Sequence, residues 1–250
     1  MSDGLEIIAH RGASTDAPEN TLAAFKLAWE QGAHAIELDV HLSKDARLVV
    51  IHDADTKRTT GVSGKVNQQT AQALGTLDAG DWKNARWRGE PVPLLADVLA
   101  SVPQGRRVFI EIKDGSDGVV DALESELGEC VLEPQQTVLM SYDFDLVKTL
   151  RERIADREIG WVIDRPWKAP RLDKVIARAK SIGLLHLCFS NEWPIDTEMV
   201  RQVHEAGLQL NVWTVDDIKR ARQLEEAGAD GIITNVPGHL IQNWTTNHSP

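Results

Sequence analysis

The sequence is poor in positive charge. It contains 27 Lys and Arg residues against 38 Asp and Glu residues, which gives a net charge of -11 at pH 7. Binding of nucleic acid or of an anionic membrane surface requires clustered Lys and Arg side chains, so we expect neither partner. An anionic ligand would have to be held by local positive charge acting against the overall field.

Cysteine is scarce, and long apolar runs are absent. The two cysteines, Cys130 and Cys188, lie far apart in apolar stretches and are interpreted as reduced core residues. No run of about 18 apolar residues occurs, and the N-terminus has no basic segment followed by an apolar one, so the sequence predicts neither a membrane span nor a secretion signal. We therefore expect a cytoplasmic protein without stable membrane association. Its oligomeric state stays open.

Eight short apolar runs recur along the chain, and helix-type patterns lie between them. The predicted strands are residues 5–9, 35–40, 108–112, 137–140, 159–163, 184–189, 210–215 and 231–234. Several helical patterns end at glycine, which is common just past the end of a helix. Eight such β-α alternations favour an α/β fold of the closed TIM-type (β/α)8 barrel class, with an open doubly wound sheet as the alternative.

One interval is longer than this alternation requires. After the second predicted strand, a turn at 43–46 and an apolar run at 48–51 predict a hairpin. The polar stretch that follows is far longer than the about 2 to 6 residues of typical βα loops. We therefore predict a single domain over residues 1–250 with a small insertion at about 54–94. This insertion is expected to lie over the C-terminal mouth of the barrel and to help select the substrate.

The second predicted strand carries two carboxylates on one face. Glu37 and Asp39 are two residues apart and point the same way, while Ile36, Leu38 and Val40 bury the other face. Such a pair usually marks only the solvated face of a half-buried strand. If that face is enclosed, two acids in one space need a bound cation or a shared proton. A metal ion is the simpler explanation.

Other ionisable residues lie at the ends of predicted strands, where parallel barrels carry their catalytic groups. The first strand ends in His10 and Arg11, and the hairpin after the second strand ends in His52. The third strand places Glu111 and Lys113 on one face by the same period of two. Burying these charges unpaired would cost several kcal/mol each, so they must compensate one another or bind ions.

The combination of groups suggests a chemistry. Glu37, Asp39 and Glu111 would form an all-oxygen site suited to a hard divalent ion such as Mg or Ca, whereas zinc more often takes imidazole ligands. Arg11 and Lys113 would supply positive charge for an anion. An anion bridged to a metal beside two imidazoles is typical of phosphate ester cleavage.

Eight short motifs also occur in order along nearly the whole chain. They are HRG at 10–12, PENT at 18–21, ELDV at 37–40, HD at 52–53, RTTG at 58–61, EIK at 111–113, WTV at 213–215 and GADGIITNVP at 228–237. No single tetrapeptide is specific, but the combination resembles the glycerophosphodiester phosphodiesterase family in its bacterial cytosolic form. The chain departs from the family pattern at Ala46, where relatives usually carry glycine, which leaves the turn type before His52 open.

The resemblance implies a TIM-type barrel that catalyses metal-dependent hydrolysis of a small-molecule glycerophosphodiester to sn-glycerol 3-phosphate and an alcohol. It assigns roles to eight residues: metal ligation to Glu37, Asp39 and Glu111, general acid and base to His10 and His52, phosphate contact to Arg11 and Lys113, and glycerol contact to Trp213. The headgroup, the ion, the division of acid and base, and the choice of water or glycerol hydroxyl as nucleophile stay open.

Two other functions stay open beside this one. A related phosphodiesterase or a lipid phosphodiester lyase could use the same barrel rim. The chain could also be a barrel that binds a phosphate ligand without catalysis. An intact set of acids and histidines argues against the second alternative, because loss of function normally leaves gaps in such sets.

Some residues have a structural interpretation. Lys113 could simply neutralise a carboxylate, and Trp213 could fill the core. Glu19 and Asn20 are interpreted as the start of the first helix rather than as site residues. His41 follows the acidic pair in register, but the sequence identifies no partner for it, and it is interpreted as hydrogen-bonding or exposed.

Overall fold

The computed structural model of the protein describes residues 4–164 and 170–245 and contains a closed β-barrel. Its strands are β1 Glu6–His10, β2 Ala35–Leu42, β3 Leu48–Val50, β4 Arg107–Ile112, β5 Thr137–Ser141, β6 Glu158–Ile163, β7 His186–Ser190, β8 Gln209–Trp213 and β9 Gly231–Thr234. Within the described residues, eight of these strands pair in parallel, and the β1–β2 pairing closes the ring. Strand β3 pairs antiparallel with β2. The predicted TIM-type barrel is confirmed, and an open sheet is excluded.

Helices lie between the barrel strands. They are α1 Leu22–Glu30, α2 Lys57–Thr60, α3 Ala71–Leu74, α4 Leu95–Ser101, α5 Val119–Glu129, α6 Phe144–Arg153, α7 Leu172–Ser181, α8 Thr197–Glu205, α9 Ile218–Ala227 and α10 Pro237–Thr245. Side chains of Asp143, Asp196 and Asp217 accept hydrogen bonds from the first turns of α6, α8 and α9, which explains where those helices begin. In the part of the chain described, no helix is both long enough and apolar enough to cross a bilayer.

The barrel interior changes in character from one end to the other. Ala35 and Phe109 belong to an apolar cluster inside the barrel. Further along the same faces of β2 and β4 come Glu37, Asp39 and Glu111, all buried. Because side chains alternate along a strand, the inward-facing positions turn from apolar to acidic towards the C-terminal ends of these two strands.

The N-terminal end of the barrel holds a separate polar cluster. Arg107 binds Glu6 at 2.9 Å and also binds Glu158. His186 lies 2.9 Å from the Glu158 carboxylate, and the Asn211 amide lies 3.2 Å from the other ring nitrogen of His186. These groups satisfy one another, which makes their burial tolerable.

The segment between β3 and α4 forms an apolar cluster against Val49 of β3. The cluster members from the segment are Ile51, Val66, Ala71, Leu74, Ala79 and Val92. Two of its cations bind the connection between β1 and α1. Lys83 donates to the Ser14 carbonyl at 2.7 Å, and Arg86 donates to the Asp16 carbonyl at 2.7 Å. The segment is therefore attached beside the C-terminal end of β1. Its role in selecting a substrate stays a prediction.

A substitution at Gly12 would test how tightly the β1–α1 connection is packed against α1. Its φ is +82°, and an added Cβ would lie 2.6 Å from the backbone carbonyl carbon of Ala24 in α1. Gly12→Ala is expected to lower the free energy of unfolding by about 1–3 kcal/mol, measured by urea denaturation, because the backbone is strained for alanine and the new methyl overlaps helix backbone.

Gly128 provides the control. It lies within α5, and an added Cβ there would meet no atom within 4 Å. Gly128→Ala is expected to be neutral or slightly stabilising, because alanine favours a helix over glycine. An equal loss of stability in both variants contradicts the packing argument.

Candidate active site

Three buried carboxylates meet at the C-terminal end of the barrel. Glu37 and Asp39 come from β2 and Glu111 comes from β4, where it pairs in register with Asp39. One ligand oxygen from each residue lies within 4.8 Å of the others. Their exposed fractions are 2%, 1% and 7%. The period of two along each strand and the parallel register between the strands bring the three side chains together.

The negative charge of this cluster is only partly compensated by the surrounding protein groups. Burial, reinforced by the charge of Asp39, raises the pKa of Glu37 well above its usual value and raises that of Glu111 to about 7. Burial would also raise the pKa of Asp39, but the cations of Arg11 and Lys113 outweigh it and hold that pKa low. An enclosed all-oxygen donor set with excess negative charge fits a hard divalent cation.

Two cations lie against the carboxylates and also line the cavity. The Nε atom of Arg11 is 3.1 Å from Asp39. The Nζ atom of Lys113 is 2.6 Å from Glu111 and 3.3 Å from Asp39. The positive charge of both residues is thus directed at the acidic cluster, and both side chains border the space that an anionic ligand would enter.

Asn20 belongs to the site and not to the start of helix α1. The N-cap of α1 is Thr21, whose side chain accepts from the first turn. Asn20 donates from its amide to the Asp39 carboxylate at 2.8 Å and accepts from the Asp39 backbone N–H at 3.3 Å. The capping interpretation of Glu19 and Asn20 is therefore wrong. The left-handed backbone of Asn20, with φ +57°, turns its side chain towards β2.

His10 and His52 both line the cavity. His10 ends β1, and its Nδ1 is 2.7 Å from the Asn235 side-chain oxygen. His52 follows β3, and its Nδ1 is 2.7 Å from an Asp53 oxygen. Each ring therefore uses Nδ1 for an acceptor outside the cavity, which leaves Nε2 for the cavity side.

Burial also sets the protonation of His10. Burial and, to a smaller extent, the nearby charge of Arg11 lower the pKa of His10 to about 4, against weaker opposing contributions from Asn235 and the carboxylates. The neutral imidazole is therefore the favoured form of His10 near pH 7 in this environment.

Arg58 connects two of the sequence motifs. It donates to the Asp53 carboxylate at 2.6 and 3.2 Å and to the Glu19 carboxylate at 2.8 and 2.8 Å. Glu19 in turn accepts from Arg11 at 2.9 Å. Because Asp53 holds the ring of His52, this chain of paired charges ties that imidazole to the acidic cluster. Its last member, Arg11, lines the cavity, whereas Asp53, Arg58 and Glu19 are not among the lining residues.

The turn before His52 keeps a left-handed residue despite its departure from the family pattern. Ala46 has φ +57°, the conformation that glycine adopts without cost. The Ser43 side chain donates to Asp45 at 2.7 Å and accepts from the Arg47 N–H at 3.0 Å. These local hydrogen bonds hold the hairpin that returns the chain to His52.

The cavity has an apolar side facing the charged one. Its volume is about 140 Å³, and its apolar lining comes from Met140, Tyr142, Val162, Cys188, Trp213 and Ile233. The rings of Tyr142 and Trp213 meet edge to face at 5.7 Å, and the Trp213 indole donates to the Cys188 carbonyl at 2.9 Å. Tyr142 was not among the predicted site residues, although it lies two positions after a predicted strand and is the one tyrosine of the sequence.

Fold and site together define the class of the protein. A parallel (β/α)8 barrel with carboxylates, imidazoles and cations around a cavity at the carboxyl ends of its strands is the arrangement of a barrel enzyme. Solved structures share the fold. An Oleispira antarctica phosphodiesterase in complex with the product sn-glycerol-3-phosphate superposes with a TM-score of 0.88 at 25% identity, covering 98% of both chains. A glycerophosphodiester phosphodiesterase from Agrobacterium tumefaciens superposes with a TM-score of 0.79 at 29% identity, covering 95% of this chain and 99% of that one.

Sequence comparison identifies the family. The chain is 35% identical over 243 residues to a glycerophosphodiester phosphodiesterase of Caldanaerobacter subterraneus subsp. tengcongensis, covering 94% of this chain and 96% of the relative. The pattern that defines the glycerophosphoryl diester phosphodiesterase family matches residues 10–239. The protein belongs to the glycerophosphoryl diester phosphodiesterase family.

The Arg58 contacts predict a stability effect that depends on pH. The hydrogen bond from Arg58 is the main reason that the pKa of Asp53 falls to about 2. A carboxyl group whose pKa is lower in the folded protein than in the unfolded chain stabilises the fold at pH values above the unfolded pKa of about 3.9. This stabilisation is lost as the pH falls through the folded pKa. Arg58→Met is expected to cost about 1 kcal/mol or less at pH 7, because partly exposed pairs are screened, and less still at pH 3.

Urea denaturation of both proteins at the two pH values measures this difference. Arg86→Met is the matched control, because Arg86 donates to a backbone carbonyl that does not titrate. The cost of the control substitution should therefore be similar at pH 7 and pH 3. A cost of Arg58→Met that does not change with pH contradicts the charge-pair explanation.

Proposed function

We propose that the protein hydrolyses glycerophosphodiesters to sn-glycerol 3-phosphate and an alcohol in a metal-dependent reaction, with His10 and His52 as general acid and base. The observation that supports this most strongly is a cluster of three buried carboxylates, two of which line one cavity together with two imidazoles and two cations. Family membership supports the same reaction class, and the Oleispira antarctica relative is in complex with sn-glycerol-3-phosphate.

Glu37, Asp39 and Glu111 are the residues proposed to hold the divalent ion, Mg or Ca. Their oxygen donors match the preference of both ions, and the raised pKa values of Glu37 and Glu111 indicate charge that the protein alone leaves poorly compensated. A bound ion there would polarise a phosphate oxygen and increase the acidity of a nearby hydroxyl.

The two histidines are proposed to move the protons. One imidazole accepts the proton of the attacking hydroxyl, and the other donates a proton to the departing alkoxide. Asn235 and Asp53 support these roles by engaging Nδ1 of each ring, so that Nε2 is the atom that exchanges the proton. The choice of base between His10 and His52 stays open.

The other cavity residues are proposed to bind the substrate. Arg11 and Lys113 would contact phosphate oxygens, since both border the cavity with positive charge. Trp213 would contact the glycerol carbons, with Tyr142 at right angles to it. An apolar wall opposite a charged one suits a ligand that has a carbon backbone on one side and a phosphate on the other.

Histidine substitution tests the proposed function directly. His10→Ala and His52→Ala are each expected to reduce turnover at least about a hundredfold, because a proton-transfer group is lost, while the fold is retained. The measurement is a coupled assay for glycerol 3-phosphate released from several glycerophosphodiesters, with and without divalent ions. His204→Ala is the control, because His204 is half exposed and pairs with Asp230; it should remain active.

Two results would count against the proposal. Turnover like that of the unaltered protein in either His variant removes that residue from the mechanism. Absence of glycerol 3-phosphate release by the unaltered protein, with every headgroup and ion tried, refutes the proposed reaction.

Metal binding is tested without relying on activity alone. EDTA should abolish turnover, and Mg or Ca should restore it. The same ions should raise the midpoint of thermal unfolding of the metal-free protein, because they bind only the folded state. Glu111→Gln should lose most of that rise, whereas Glu126→Gln, a partly buried carboxylate outside the cluster, should keep it. Activity indifferent to EDTA, or an equal rise in both variants, contradicts the assignment.

A further inference from the structure

We propose that His41 is a positioning residue that fixes the place of His52 in the cavity. The proposal rests on the proposed function, because it treats His52 as one of the two proton-transfer groups. His41 does not line the cavity. It would therefore act through the backbone of His52 and not on the substrate.

His41 joins three elements at the barrel mouth. Its side chain, 6% exposed, lies on β2 two residues beyond Asp39. One ring nitrogen, Nε2, is 3.0 Å from the backbone carbonyl oxygen of His52, and Nδ1 is 3.0 Å from an Asp114 carboxylate oxygen. The other Asp114 oxygen accepts from the Ser116 N–H at 3.0 Å. The ring thus spans the distance between the hairpin and the segment that follows β4.

Both partners of the His41 ring accept hydrogen bonds. A backbone carbonyl can only accept, and an ionised carboxylate can only accept. The His52 carbonyl must therefore accept from the N–H at Nε2 of His41, and the rigid ring sets the separation of the two oxygens. Both ring nitrogens of His41 have hydrogen-bond partners, so burying this side chain leaves no polar atom unsatisfied. Removing the ring would leave the His52 carbonyl without this donor.

His52 needs such support more than a residue inside a barrel strand does. Strand β3 ends at Val50, so the backbone at His52 has already left the sheet. Its ring is held on one side by Asp53 at 2.7 Å, and its side chain is 31% exposed. A shift of about 1 Å in a reacting group can cost about a hundredfold in rate, so a contact that fixes the His52 peptide can control turnover.

The same side chain links the imidazole to the cation side of the cavity. Asp114 directly follows Lys113, whose ammonium lies 2.6 Å from Glu111. His41 therefore connects the backbone that carries His52 with the backbone that carries Lys113. The geometry points to one brace that keeps the proposed acid or base at a set distance from the proposed phosphate and metal groups.

Two conservative substitutions separate the two hydrogen bonds. A Gln side chain can place its amide nitrogen near the position of Nε2, and an Asn side chain can place its amide nitrogen near Nδ1. His41→Gln should keep the bond to the His52 carbonyl and retain kcat within about threefold. His41→Asn should keep the bond to Asp114 and lose about ten- to a hundredfold in kcat, the range typical of supporting residues around a site. Its KM should change much less, because no substrate contact is removed.

His34→Ala is the matched control. His34 directly precedes β2 at the opposite end of the strand, and its ring accepts from the Ile7 N–H at 2.9 Å. This substitution should lower stability without changing kcat. Thermal unfolding of all variants checks that each is folded. Asn is one methylene shorter than Gln and removes more volume, so its packing loss is larger, and thermal unfolding measures that difference.

A second readout does not depend on activity. Ring nitrogen signals of His52, assigned in NMR spectra by comparison with His52→Gln, should shift in His41→Asn and stay in place in His41→Gln. Failure of the unaltered protein to release glycerol 3-phosphate would count against the proposed function, and the NMR comparison would still test the brace. A Gln variant as impaired as the Asn variant, or His52 signals unmoved in both, overturns the role of His41.

Discussion

Repulsion among three buried carboxylates is the constraint on which the site depends. Glu37, Asp39 and Glu111 lie too close together, and too far from water, to be ionised at once without positive charge between them. Parallel strands of a barrel produce this arrangement because their inward-facing residues stack at matching levels. Arg11 and Lys113 compensate part of the charge, and the remainder gives the cluster the capacity to hold a cation.

The residues around the cluster follow from the same need. Arg11 lies against Asp39, Glu19 binds Arg11, and Arg58 binds Glu19 together with Asp53. Each charge is held by a partner of opposite sign, so the network extends from the barrel interior to the imidazole beside Asp53. A change in the charge of the acidic cluster would therefore alter the electrostatic environment of His52 through these connected ion pairs, each of which is partly shielded from solvent.

Periodicity explains what the sequence could predict. Eight apolar runs defined the barrel. The run at 210–215 extended two residues past the end of β8, because Thr214 and Val215 continue the strand-like sequence pattern beyond the strand. The period of two placed Glu37 with Asp39, and strand order brought Glu111 beside them. Asn20 was misinterpreted because helix capping and carboxylate binding use the same residue types. His41 lacked a visible partner because Asp114 lies 73 residues away, and the parallel pairing of β2 with β4 brings them together.

The central claim is that the three carboxylates bind one divalent ion. The most direct measurement is a crystal structure of the protein grown with Ca, in which anomalous scattering locates the ion. One ion is expected with oxygen atoms of Glu37, Asp39 and Glu111 at about 2.3–2.6 Å, and with the Lys113 ammonium outside that coordination shell. An ion bound elsewhere, with Lys113 still between Glu111 and Asp39, would contradict it.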